Sequence, residues 1–418
     1  MEILHFFTFT DPNIRYVVLG TMLLTGSAAV VGTFALLKKK ALLGDATAHA
    51  VFPGICLVFM ITGSKHPLYM MLGAFATGWL ALLLIDLFIK HSKIQEDVAT
   101  TLLLAITFGT GTFLLSLIQN SANTAQVGLS HYFFGKAAAL VSTDVYALTV
   151  LNIIITLTII SFFKEFSLIT FDSLFAKSLK LPVSWLEFIF TSLMVLTIVL
   201  GVRTVGIVLI SAMLITPPAA ASFWTDRLWM MVIIAAGIGM LSGLIGSFIS
   251  YTLPGMPTGP WIVLIATSLA YISFLFAPDK GLIAKRIRHA RHKRKILHEN
   301  ILKLFYEIGK KKGDLFACHS LAELLAYRPI PIPALRQGIR NLTQSSLLFP
   351  QDNMWRFTGA GKHASEQIIQ KHQLWKSFLT DYVKEQPITT DENAELMEHV
   401  LTPDVMAELQ GLLHHKSA

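Results

Sequence analysis

ALLGDATAHAVFPGICLVFMITG, residues 41–63, is long and apolar enough to cross a bilayer, yet it carries Asp45 and His49 one helical turn apart. A hydrocarbon core about 30 Å thick takes roughly 20 apolar residues in a helix. A carboxylate at the centre of such a segment costs about 2.5–3.5 kcal/mol on insertion scales, so polar pairs persist there when they serve a purpose. A spacing of four puts both side chains on one helical face, where they can hold a single cation. Pro53 has no N–H, so the His49 carbonyl loses its helical partner and becomes a further candidate oxygen ligand. The competing reading makes Asp45 a helix cap near the interface, because Lys40 is about 7.5 Å away along a helix. Spacing alone does not choose between the two.

Working outward, eight further windows of near-spanning length cover roughly residues 15–37, 67–90, 98–119, 145–163, 184–202, 205–224, 228–250 and 258–277. The 418-residue chain is 53% apolar and only 14% charged, with mean hydropathy +0.59. An ordinary soluble domain carries about 25% charged residues, so composition makes this a membrane protein. Residues 1–14 hold Glu2 and Asp11 and no basic run, so a cleaved signal peptide is not expected. Pro217-Pro218 interrupts the seventh span, and freed carbonyls there need partners other than lipid, so a broken or re-entrant segment is a fair alternative to a ninth crossing. The expected fold is an all-α polytopic membrane protein of eight or nine transmembrane helices, followed by a cytoplasmic winged-helix and helical domain. Alternating loops put Lys38, Lys39, Lys40, Lys90, Lys93, Lys164, Lys177, Lys180, Arg227 and Lys280 on one side, and Arg15, Lys65, Lys136 and Arg203 on the other. The positive-inside bias makes the first side cytoplasmic.

Only Cys56 and Cys318 are present, too few and too distant for a disulfide framework or a thiolate metal site. Gly359-Ala-Gly361-Lys362-His363 lacks the spacing of a phosphate-binding loop, so the chain is not expected to be an ATPase or another enzyme. Asp86 reads as a partner for Lys90, and Glu96 and Asp97 as first-turn anions favoured by the helix dipole.

The stretch 43–54, with GDATAHAVFPG, resembles the hallmark of the ABC-3 family, the permeases of manganese, zinc and iron ABC importers. Further similarities follow in order. They are Ile94-Gln-Glu96-Asp97-Val98-Ala99, Phe166-Ser-Leu-Ile-Thr-Phe171-Asp172 leading to Ala176, Val205-Gly206 through Ser211-Ala212 to Thr216-Pro217, and Pro257-Thr258-Gly259-Pro260. The resemblance covers about residues 15–278 and implies that Asp45 and His49 lie on a cation path. It also implies that Phe171, Asp172, Ala176 and Leu179, in the stretch 171–183, dock a separate ATPase. Lys180 stands where the family usually has glycine, so a different local turn is expected there. Further implied partners are an extracytoplasmic metal-binding protein and a second permease, either a copy or a relative, all in a bacterial cytoplasmic membrane. No tightly bound cofactor is implied; a divalent ion (manganese, iron or zinc) is the expected substrate and a candidate effector.

At residue 281 the character changes. Residues 1–280 carry 14 Lys/Arg against 12 Asp/Glu, and residues 281–418 carry 20 against 14. Residues 281–296 form a basic juxtamembrane linker whose lysines and arginines suit anionic lipid, with DNA contact as a sharper alternative. Residues 297–360 suggest a winged helix: a helix over about 297–310, a short one capped by Ser320, a second opened by Pro333, and a hairpin over 347–357. Arg336, Gln337 and Arg340 fall on exposed positions of that second helix, where they suit a major groove. Protein docking is the other use of such a module.

Residues 361–418 form a helical metal-sensing or dimerisation-like region. Glu395, Glu398 and His399 fall at i, i+3 and i+4, one helical face with ligands suited to manganese, iron or zinc, or equally a solvated charged face. Across about 297–412 the tail resembles the DtxR/MntR metalloregulators, which implies that His372, Glu395, Glu398 and His399 sit at metal-ligand positions. Asn300 and Lys303 depart from that family's acidic ligands. The chain as a whole looks like a permease fused to a repressor, with 281–297 a natural place for proteolytic release. A membrane-tethered metal-responsive DNA-binding regulator, and a permease for metal chelates, are the competing classes.

Overall fold

The structure is a computed structural model that describes residues 12–64, 66–120, 135, 140–253 and 256–378. The chain divides into two compact units, residues 1–284 and 285–418.

In the first unit the helices are α1 (Pro12–Leu37), α2 (Ala41–Thr62), α3 (Pro67–His91), α4 (Glu96–Gln119), α5 (Ser142–Ser161), the short α6 (Phe163–Phe171) and α7 (Ser173–Ser178), then α8 (Val183–Thr204), α9 (Ile207–Ser222), α10 (Leu228–Thr252) and α11 (Thr258–Phe276). Eight of these are long and apolar enough to cross a membrane; α9 is the shorter exception. Its 16 residues span about 24 Å at 1.5 Å per residue, less than the hydrocarbon thickness. The break expected at Pro217-Pro218 is not observed: the helix runs on through both prolines. Gly206 at its N-terminus adopts φ 97°, a left-handed turn open to glycine.

Pro217 and Pro218 remain inside α9 and are buried, so the carbonyls of Met213 and Leu214, left without helical amides, face protein rather than lipid. The Leu214 carbonyl lies against Gly32 of α1, where an added Cβ would sit 1.9 Å from its oxygen. The same close approach recurs between α1 and α10: a Cβ on Gly239 would fall 2.5 Å from the Thr25 carbonyl, and Thr21 Oγ1 lies 2.9 Å from Ser247 Oγ. Small residues bring these backbones together where no hydrophobic force between lipid-bathed helices can. Thus α1 is the spine, packed against α9, α10, α8 and α5, while α2 packs against α3 and α4 and meets α1's group through α8 and α9.

The second unit begins on α12 (Leu282–Lys312), followed by β1 (His319–Ser320), α13 (Leu321–Tyr327), α14 (Ile332–Gln344), β2 (Leu348–Gln351), β3 (Met354–Phe357) and α15 (Gly359–Phe378). The basic run from Lys285 to Lys295 is therefore helical and continuous with the first helix of the tail. Ser320 caps α13 by accepting from the Glu323 N–H, as its sequence position suggests. The three strands pair antiparallel in the order β1-β3-β2, and Asp352 and Asn353, both at positive φ, make the two-residue turn. Ile301, Phe305, Ile308, Leu324, Leu335, Ile339, Leu342 and Phe357 form its core. The order of elements is that of a winged helix.

Gly32→Val forces α9 away from α1 and is expected to cost about 1–3 kcal/mol, the usual penalty for overpacking. The thermal midpoint of the detergent-purified protein should fall. Gly237→Val, on the same helix bundle but with nothing within 4 Å of its added Cβ, should leave it unchanged.

Candidate functional site

The turn between α1 and α2 fixes where Asp45 falls. Lys40 N–H donates to the Ala35 carbonyl (2.9 Å) and Lys39 N–H to the Leu36 carbonyl (3.0 Å), with Lys39 at φ 59°. These are the two bonds of a Schellman cap. The next helix starts at Ala41 with Lys40 at its N-cap and no side-chain cap. Asp45 thus lies a full turn inside α2, about 6 Å along the axis, and does not cap it. His49 lies one turn further in.

Asp45 Oδ1 and His49 Nε2 are 3.8 Å apart, with side chains 34% and 15% exposed respectively. The pair is therefore neither packed in an apolar core nor fully solvated. The imidazole meets the edge of Phe108 on α4 at 5.2 Å. Below it α4 stays close because Gly111 leaves room for Phe52 and Pro53. Pro53 lies within α2, so the carbonyl of His49 has no amide partner at i+4. Among the described residues His49 Nδ1 is buried with no hydrogen-bond partner. A buried polar atom left so costs about 1–3 kcal/mol, which a ligand or water would offset. A metal bound about 2.1 Å from each of two ligands spans up to about 4.2 Å, so the observed separation admits one bridging cation. Among the described residues no group of three or more His, Cys, Asp or Glu gathers to hold a metal. The pair would offer two ligands to a passing ion and no closed cage. Phe108 was not legible as part of this site, because α4 reads only as an apolar span.

Phe171, Asp172, Ala176 and Leu179 come together around α7. The Asp172 carboxylate accepts from the Phe175 N–H at 2.8 Å and caps the helix. Ala176 is fully buried, while Phe171, Leu174, Phe175 and Leu179 are exposed. The helix ends in a second Schellman cap: Leu181 N–H donates to the Ala176 carbonyl (3.2 Å) and Lys180 N–H to Lys177 (3.0 Å), with Lys180 at φ 59°. The turn expected of glycine is kept, and lysine bears its strain.

In the second unit Arg336, Gln337 and Arg340 are exposed on α14, opposite its buried Leu335, Gly338, Ile339 and Leu342. They line a groove of about 770 Å³ with Asn353 and Trp355 of the hairpin. His372 lies on α15 with its Nδ1 3.3 Å from the Lys303 ammonium on α12. Lys303 is 9% exposed. An ammonium thus stands beside the imidazole at the position where Lys303 departs from the family's acidic ligand. Glu395, Glu398 and His399 lie outside the described residues.

Among the described residues, eight helices long and apolar enough to cross a membrane pack together with α9, and α2 carries a polar pair; this is the architecture of a multi-pass membrane protein. Residues 10–277 match the model of the ABC 3 transport family, and the chain belongs to that family. Residues 358–417 match the metal binding and dimerisation domain of the iron dependent repressors. The chain is 37% identical over 383 residues to the manganese transport system membrane protein MntC of Bacillus subtilis (strain 168), covering 91% of this chain and 87% of that protein. That match is longer than the membrane unit, so part of the tail is shared. It is 36% identical over 283 residues to the zinc transport system membrane protein TroC of Treponema pallidum (strain Nichols), covering 68% of this chain and 95% of that one. Among solved structures, PsaBC from Streptococcus pneumoniae in complex with Fab superposes with TM-score 0.59 at 30% identity, covering 66% of this chain and 97% of that chain.

Lys180→Gly removes a left-handed non-glycine residue and is expected to stabilise by about 1 kcal/mol. A raised thermal midpoint is the expected reading; a lowered one would show that the lysine side chain makes a compensating contact.

Proposed function

We propose that this chain is the membrane-spanning subunit of an ABC importer for divalent transition-metal ions, and that Asp45 and His49 bind the ion in transit. The observation that carries the reading is the half-open Asp45–His49 pair, whose Oδ1 and Nε2 lie 3.8 Å apart. A carboxylate oxygen and an imidazole suit manganese, iron(II) or zinc better than alkali ions. Two ligands without a third hold an ion loosely enough to release it. The relatives' manganese and zinc transport names agree with this chemistry. A chelate has its metal already coordinated and has little use for the pair, so bare ions are the favoured cargo.

ATP hydrolysis is assigned to a separate subunit seated on α7, whose exposed Phe171, Leu174, Phe175 and Leu179 form an apolar face around the buried Ala176. An extracytoplasmic metal-binding protein would deliver the ion, and a second permease would complete the pathway. With α9 counted as a crossing, the α1–α2, α3–α4 and α6–α8 loops, Arg227 and the tail share one side, and its excess of lysine and arginine makes that side cytoplasmic in a bacterial inner membrane. The tail is assigned a regulatory role. Arg336, Gln337 and Arg340 suit operator DNA, and any effector metal would depend on Glu395, Glu398 and His399 rather than on the Lys303–His372 contact. A tethered regulator that has lost transport is the second reading, favoured by the fused repressor-like domain.

Asp45→Ala should abolish uptake of radioactive manganese or zinc in cells carrying the intact importer while the chain still assembles in the membrane. Normal uptake by an assembled Asp45→Ala variant would remove that residue from the path. Deleting 285–418 separates the two readings: uptake that persists with altered promoter control makes the tail regulatory, whereas a chain with no uptake before or after deletion is the tethered regulator.

A further inference from the structure

A cavity of about 480 Å³ opens between the α1–α2 turn, the end of α3 and the start of α8, and it is lined by Lys38, Lys40, Lys90, Asp86 and Glu187. Its charged rim lies at helix ends, where membrane-crossing segments meet the headgroup layer. Its inner wall is apolar, with Trp79, Leu83 and Phe188. Leu83 and Phe188 are 53% and 46% exposed, so the wall opens sideways rather than closing into the bundle. Trp185 stacks on Phe188 at 5.5 Å and is itself 58% exposed, an aromatic pair of the kind that sits at headgroup level.

Lys38 is the unusual member. The Schellman cap at Lys39 turns its side chain inward, leaving it 7% exposed. Its ammonium lies 3.9 Å from Glu187 Oε1 and 5.0 Å from the centre of the Phe190 ring. Burial pushes its pKa down to about 8, with the Glu187 carboxylate only partly offsetting the loss of water. One half-exposed carboxylate at that distance is weak compensation for a buried cation, and a further anion would complete it. The rim nevertheless holds both signs, three lysines and two carboxylates. A simple anion satisfies only the lysines. A headgroup carrying a phosphate and a primary ammonium satisfies both sets, with its acyl chains along Trp79, Leu83 and Phe188.

We propose that this cavity is a binding site for a membrane aminophospholipid, its phosphate held by Lys38 and Lys40 and its ammonium by Asp86 and Glu187. The site lies beside α8, which follows directly from α7, so an occupied headgroup would steady the base of the segment assigned to coupling.

Native mass spectrometry of the detergent-purified full chain, relipidated with equimolar phosphatidylethanolamine, phosphatidylglycerol and phosphatidylcholine, tests it. Phosphatidylethanolamine should be retained at least tenfold over phosphatidylcholine. Lys38→Met and Lys40→Gln should each lower retention of every phospholipid severalfold, and Asp86→Asn should lower phosphatidylethanolamine alone. Lys40 and Asp86 are not buried, so those two variants remain informative even if Lys38→Met misfolds. Retention unchanged in Lys40→Gln and Asp86→Asn would overturn the proposal. Equal binding of glycerophosphoethanolamine, which lacks acyl chains, would overturn the lipid as its occupant.

Discussion

Hydrocarbon offers no partner to a peptide group, and this one constraint shapes the membrane unit. Among the described residues every candidate spanning segment is a helix, and α9, whose adjacent prolines leave two carbonyls without helical amides, is packed among α1, α2, α10 and α11. Its two orphaned carbonyls need protein around them. The Gly32 contact supplies it for Leu214, because only a residue without a side chain lets α1 come near enough. The small residues of α1 and α10 are part of the same solution. They hold the spine together by close backbone packing where apolar side chains would gain nothing over lipid.

The same constraint gives the polar pair its meaning. A carboxylate and an imidazole on α2 must face protein or water, and they do so in a half-open setting, flanked by Phe108 on one side. Pro53 within the helix frees the His49 carbonyl, and Gly111 lets α4 approach. Below the pair, the α1–α2 turn with its left-handed lysine sets the start of α2 and also turns Lys38 into the bundle.

Much of this was legible in the residues. Span positions follow from the lengths of apolar windows, although the break that Pro217-Pro218 suggested is absent from the continuous α9. Asp45 and His49 stood out because their types are expensive in an apolar run. The cap at Ser320 and the winged order of the tail could be read from polar residues at helix starts. Three features could not. Phe108 belongs to a run of apolar residues with nothing to distinguish it. Lys180 suggested an altered turn, yet the backbone keeps the left-handed conformation, because two Schellman hydrogen bonds outweigh the strain of one side chain. Lys303 signalled a missing ligand, but only the fold brings its ammonium to 3.3 Å from His372.

The central claim is that a transition-metal ion is held by the Asp45–His49 pair. Pulsed electron spin resonance of Mn(II) bound to the purified full chain reports directly whether a histidine nitrogen is coordinated. A nitrogen coupling that vanishes in His49→Ala and survives in His372→Ala is the predicted result. A coupling that persists in His49→Ala and is lost in His372→Ala would contradict it.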